Sequence, residues 1–144
     1  MPSFSTLCID ANLVVGLYTG SLGPIVREMW LGWQRENRSL VAPFLIRYEV
    51  ANVLYRHHRQ GFIDLQSTRE ALAESMTLPI RLYSEDDLHD AAVVLAERFH
   101  LPAAYDAHYL ALAERLGIDF YTGDRRLWNT VRHQLPWVRL IETE

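Results

Sequence analysis

Four acidic residues stand where a carboxylate can do chemistry: Asp10, Glu49, Asp106 and Asp124. Asp10 closes the apolar run Thr6-Leu7-Cys8-Ile9, and Asp124 follows Phe120-Tyr121-Thr122-Gly123, so both fall just past a predicted strand. Asp106 falls in the first turn of a predicted helix, where the helix N-terminus favours a negative charge. Glu49 lies within an apolar helical run from Phe44 to Tyr55. Gathered in one pocket, four carboxylates would repel one another and hold protons unless a cation joined them. Oxygen-only ligation selects a hard divalent ion, Mg²⁺ or Mn²⁺, over zinc. Each acid also has a plain structural reading: Asp10 and Asp124 as helix N-caps, Asp106 as compensation of a helix dipole. Glu49, Asn52 and Arg56 recur at i, i+3 and i+7, a polar stripe that solvation alone would explain. A helix this apolar is nevertheless expected to be flanked by protein on most sides, and a buried carboxylate needs a partner.

The elements that must position these acids alternate along the chain. A strand over 5–9 leads to a short helix over 13–18, which Gly20, Gly23 and Pro24 break. A second helix, 25–35, carries Met29, Trp30 and Trp33, expected in the core. A strand over 40–42 turns at Pro43 into a long helix, 44–60, ended by Gly61. Asp64 is the expected N-cap of a helix to about residue 75. After a strand over 79–83, Ser84-Glu85-Asp86-Asp87 reads as a capping-box-like start of a helix to about residue 99. The helix carrying Asp106 opens after Pro102 and stops at Gly117; a strand over 118–122, a helix over 124–134 and a strand over 137–141 complete the order. Strands separated by helices imply an α/β domain with a mostly parallel sheet, one domain over 1–144. In such sheets the site lies at the carboxyl ends of the strands, near the switch in strand order.

Composition narrows the chemistry. With 49% hydrophobic and 22% charged residues, the 144-residue chain is expected to fold rather than stay disordered. No apolar run reaches bilayer length, Met1-Pro2-Ser3-Phe4 lacks a basic signal-like start, and the single cysteine, Cys8, has no disulfide partner. An intracellular, cytoplasmic protein is expected. All 14 basic residues are arginine, which excludes a P-loop and a Schiff-base lysine. The net charge of −4 is unlike a general nucleic-acid binder, so a nucleic-acid substrate would have to meet local arginines and metal. His57, His58, His89, His100, His108 and His133 show no paired zinc-ligand spacing and read as surface or structural residues.

In that order and at those spacings, Ile9-Asp10-Ala11-Asn12, Pro43 through Glu49 to Asn52-Val53-Leu54, Leu101-Pro102, Tyr105-Asp106-Ala107, Tyr109-Leu110-Ala111 and Thr122-Gly123-Asp124 with Leu127 resemble the PIN-domain nucleases. Within them they resemble the VapC-type toxins of prokaryotic toxin–antitoxin pairs. The resemblance covers nearly the whole chain and implies a three-layer α/β/α sandwich. It implies that Asp10, Glu49, Asp106 and Asp124 form an acidic metal site, supported by Asn12, Thr122 and Asn52. It also implies metal-dependent endonucleolytic cleavage of RNA, with Glu49 binding metal directly or through water or orienting the attacking water. Arg56, Arg125 and Arg126 are candidates for holding RNA phosphates, with ordinary surface charge as the alternative. An antitoxin docked in an apolar groove, to which the second helix and the long helix after Pro43 would contribute, and a homodimer are the partners implied. Receiver domains and haloacid-dehalogenase-type phosphatases also set acids at strand ends, but both rely on a lysine this chain does not have. A DNA-directed nuclease of the same superfamily and a PIN-like binding module without turnover remain as alternatives.

Overall fold

The computed structural model describes residues 5–20 and 22–141; the amino-terminal tetrapeptide read above for signal character lies outside them. The chain runs β1 (Thr6–Ile9), α1 (Ala11–Thr19), α2 (Pro24–Arg35), β2 (Ser39–Pro43), α3 (Leu45–Arg59) and α4 (Leu65–Ser75). It continues with β3 (Ile80–Tyr83), α5 (Asp87–Arg98), α6 (Tyr105–Leu116), β4 (Asp119–Thr122), α7 (Arg125–Val131) and β5 (Val138–Leu140). The strands form one all-parallel sheet in the order β3-β2-β1-β4-β5, layered with helices as an α/β/α sandwich. Among the described residues, no helix is long and apolar enough to cross a membrane.

Parallel strands need crossover helices that cover the sheet, so central strands become apolar on both faces. β1 and β2 follow this rule: Leu7, Cys8, Ile9, Leu40, Val41 and Ala42 are all buried. From β1 the chain builds outward through β2 to β3, then returns to the other side of β1 with β4 and β5. The switch in strand order therefore falls between β1 and β4, where Ile9 pairs with Tyr121. Asp10 and Thr122 are the next residues beyond that pair.

Helix ends follow local chemistry. Asp64 accepts the Ser67 N–H at 2.7 Å and caps α4, Pro24 opens α2, and Gly117 closes α6 at φ 66°, a left-handed conformation suited to glycine. The capping box expected at Ser84 does not form. α5 starts at Asp87 without a side-chain cap, and Glu85 and Asp87 instead bind Arg115 of α6 at 2.5 and 2.9 Å. A cation from the neighbouring helix takes the carboxylates that would have capped locally.

The tryptophans of α2 pack as expected. Trp33 is buried edge-on against Trp30 and Tyr121, with centroids 5.9 and 5.4 Å away, and the Trp30 indole N–H donates to the Leu13 carbonyl at 3.0 Å. The expectation for α3 is corrected. Only Ile46, Val50 and Leu54 of α3 are buried, while Phe44, Tyr48 and Tyr55 are 44%, 69% and 53% exposed. α3 packs mainly on α1, α4 and the end of β2, so one face alone is covered. α2 and α3 also line separate grooves. One lies between α2 and strands β2 and β3, with Trp30, Trp33 and Arg81 in its walls, and the other lies between α3 and α4, with Val50, Leu72 and Met76.

Candidate metal centre

Asp10 leaves β1 at the switch point and is both an N-cap and a buried carboxylate. Its Oδ1 accepts the Leu13 N–H at 3.3 Å, capping α1. Its Oδ2 accepts the Thr122 hydroxyl at 2.5 Å and the Gly123 N–H at 3.2 Å. Thr122, fully buried, in turn accepts the Asp124 N–H at 3.0 Å. Asp124 Oδ1 accepts the Leu127 N–H at 3.0 Å and caps α7. The capping and site readings are thus not rivals: each cap fixes its carboxylate at the strand end, and Thr122 couples the two. Gly123 belongs to the same arrangement, because a Cβ there would sit 3.0 Å from Leu22 Cδ1 and 3.1 Å from Asn12 Cβ. Asn12 therefore packs against the loop that holds Asp10.

Glu49 and Asp106 reach the cluster from α3 and α6. Glu49 is half-buried, and its Oε1 accepts the Tyr109 hydroxyl at 2.5 Å. Tyr109 is 1% exposed and stacks on Phe120, with centroids 5.4 Å apart. It holds an α3 carboxylate from α6 through a ring anchored on β4. Tyr109 stands in the Tyr109-Leu110-Ala111 motif read from the sequence, three residues after Asp106 on the same side of the helix, but is given no role there. Asp106 stands in the first turn of α6, half-buried, and does not cap the helix.

The electrostatics tie the four together. Burial lifts the Asp10 carboxyl from 3.8 to about 7, against the lowering effect of the Thr122, Gly123 and Leu13 hydrogen bonds, and the charge of Glu49 adds to the rise. Burial likewise raises Glu49, opposed by the Tyr109 hydroxyl and aided by the charge of Asp106. Asp106 is raised by burial and by the charge of Asp124. Asp10 feels Glu49, Glu49 feels Asp106, and Asp106 feels Asp124, so the acids lie within reach of one another. Among the described residues, no three His, Cys, Asp or Glu side chains converge closely enough to hold a metal ion as they stand. The donor set nonetheless fits a hard divalent cation. It offers carboxylate oxygens alone, three of the acids have raised proton affinities, and a cation would relieve both the repulsion and the proton uptake. Cys8, buried under Asp10, is pushed well above the usual thiol range by burial and then by the charge of Asp10, and offers no thiolate.

The other candidates separate from this centre. Asn52 and Arg56 are exposed along α3, so the stripe divides: those two are solvated and Glu49 turns to Tyr109. Arg125 and Arg126 are exposed in the first turn of α7, directly after Asp124. His89 and His108, far apart in sequence, meet with ring nitrogens 2.9 Å apart, a pairing that their spacing did not reveal.

Thr122→Val keeps the shape and removes both hydrogen bonds of the hydroxyl. The Asp124 N–H then loses its partner, which costs about 1–3 kcal/mol. Urea unfolding is expected to show that loss, with Thr122→Ser recovering most of it; a valine variant as stable as the parent would refute the coupling role.

Residues 7–132 match the PIN domain family, and the chain belongs to that family. Within it, the chain is 32% identical over 126 residues to Ribonuclease VapC3 of Pyrobaculum aerophilum, across 84% of this chain and 91% of the relative. A solved Pyrobaculum aerophilum protein superposes with a TM-score of 0.66 at 25% identity, over 90% of this chain and 87% of that one. A chain of a toxin–antitoxin complex from Klebsiella pneumoniae gives 0.67 at 18% identity, over 96% and 99% of the two chains. VapC20 of Mycobacterium tuberculosis, a sarcin-ricin loop cleaving toxin, gives 0.60 at 15% identity, over 81% and 87%. At these last two identities the likeness establishes the fold. The resemblance to VapC-type PIN proteins drawn from the motifs is borne out.

Proposed function

We propose that this protein is a Mg²⁺- or Mn²⁺-dependent endoribonuclease and the toxin of a cytoplasmic toxin–antitoxin pair. The observation that carries this reading is the linked set of acids at the sheet's switch point, with Asp10 buried and oriented by Thr122 and Gly123. The 32% identity to a relative named as a ribonuclease supports RNA as the substrate. The likeness to a chain from a toxin–antitoxin complex supports an antitoxin partner, and a homodimer belongs to the same proposal.

Asp10, Asp106 and Asp124 would hold the cation, which when bound acidifies its water and stabilises charge on the phosphate. The chain's own residues do the rest. Thr122 and Gly123 fix Asp10 against rotation. Tyr109 ties one oxygen of Glu49 and leaves the other for the ion or for the attacking water. Arg125 and Arg126 at the start of α7, with Arg56 on α3, serve as phosphate contacts from the rim. No side-chain nucleophile is required.

The test is incubation of partner-free protein with total cellular RNA in Mg²⁺, in Mn²⁺ and in EDTA, beside Asp10→Ala. Discrete cuts that need metal and vanish in the variant are expected. A folded protein that binds metal but cuts no RNA would instead be a binding module.

A further inference from the structure

The carboxyl edge of the sheet carries a second concavity beside the acids. It is a pocket of about 340 Å³ between the ends of β2 and β3 and the first turns of α3, α5 and α6. Its walls are largely aromatic, with Phe44, Tyr48, Tyr83 and Tyr105 facing the space. Tyr105 and Tyr48 are 65% and 69% exposed, so ring faces stand open to solvent rather than filling the core. The polar wall is the histidine pair. His108 Nδ1 lies 2.8 Å from the Ala104 carbonyl, which can only accept, so that nitrogen carries the proton. His89 Nδ1 lies 2.9 Å from His108 Nε2, so the two rings are joined on this wall. The one charged lining residue, Glu85, is paired with Arg115 at 2.5 Å.

An open, aromatic pocket whose one carboxylate is already paired suits a flat ring rather than a phosphate or an acidic peptide. Its position says which one. It opens at the carboxyl edge of the sheet and is lined by the first turns of α3 and α6, the helices that carry Glu49 and Asp106. We propose that it takes one unpaired nucleobase of a single-stranded RNA, next to the phosphodiester held at the acids. Stacking on Tyr105 and Tyr48 tolerates any base, because every base has a π-face. The His89 and His108 rings in the wall add a polar contact for the base edge. This proposal rests on the ribonuclease reading above, and it makes Tyr105 a substrate-binding residue outside the metal centre.

The experiment uses the full chain and short single-stranded RNAs that contain a mapped cut site, each with one abasic nucleotide at a successive position. For the parent, one abasic position flanking the cut is expected to lower kcat/KM by about tenfold or more, the scale of one base–aromatic stack. Tyr105→Ala is expected to lose a similar factor on intact RNA and little more on that abasic substrate. Tyr105→Phe keeps the ring and restores the parent rate, and thermal stabilisation by Mg²⁺ stays the same in all three proteins. Tyr105→Ala cutting at the parent rate, or losses that multiply in full, would overturn the proposal. So would a Tyr105→Ala change confined to subunit association in sedimentation, which would make the pocket a contact between copies. A parent that neither binds nor cuts any RNA would fail before the variants are compared, and that failure belongs to the ribonuclease reading itself.

Discussion

Asp106→Asn is expected to lower RNA cleavage by at least about a thousandfold, on the order of 4 kcal/mol in the barrier, while the fold survives. Asp106 is the cleanest acid to test because it caps nothing: the N-cap of α6 is Ala104, and no side chain closes that end. Asp10 and Asp124 each hold a helix start, so their loss mixes structure with chemistry. At Asp106 the amide keeps size and polarity and removes only the charge. The fold loses about 0.3–1 kcal/mol of favourable interaction with the α6 N-terminus, and relief of the repulsion with Asp124 offsets part of that. Single-turnover cleavage in Mg²⁺, read beside circular-dichroism melting of the same preparation, separates the two effects. Cleavage at the parent rate would remove Asp106 from the site.

The parts legible in the sequence are those fixed by neighbours along the chain. A strand, an aspartate and an apolar helix in succession state both a cap and a place at the strand end, so Asp10 and Asp124 could be assigned by reading alone. The sheet followed from the alternation of strands and helices. What stayed hidden depends on side chains far apart in sequence. The Tyr109 hydroxyl meets a carboxylate 60 residues away, and nothing in either local pattern announces it. Arg115 removes Glu85 and Asp87 from capping duty by the same kind of distant contact. α3 misled for a different reason. Its aromatics raise its apolar count, but Tyr48 and Tyr55 point to solvent, and composition does not distinguish a ring kept for the core from one kept for a surface. The polar stripe on that helix was real in spacing, yet only Glu49 of the three finds a buried partner.

The metal-free protein is expected to become less stable as pH rises, and a divalent cation is expected to reverse the trend. Asp10 is 8% exposed and its carboxyl is lifted from 3.8 to about 7, so the folded state holds the proton more tightly than the unfolded chain. Stability from such a group is fully present below the unfolded value of 3.8 and is lost as pH climbs through about 7. At about 1.4 kcal/mol per unit, a shift of this size amounts to about 4 kcal/mol, an upper figure once relaxation around the charge is allowed. Glu49 and Asp106 are raised as well and act in the same direction. A cation bound there would take the ionised form, so its affinity is expected to grow with pH over the same window, and saturation at about 100 times Kd would return about 2.7 kcal/mol. Melting curves in EDTA are therefore expected to fall in Tm between pH 5 and pH 8, and the rise in Tm on adding Mg²⁺ is expected to be larger at pH 8 than at pH 5. Asp10→Asn should flatten both trends, since it removes the group that titrates. A Tm in EDTA that climbs across this range, or a Mg²⁺ response indifferent to pH, would mean that the buried carboxylate does not control the site. Together with loss of cleavage in Asp106→Asn, the predicted pattern would tie one cluster to two independent readouts, proton uptake by the resting protein and turnover of RNA.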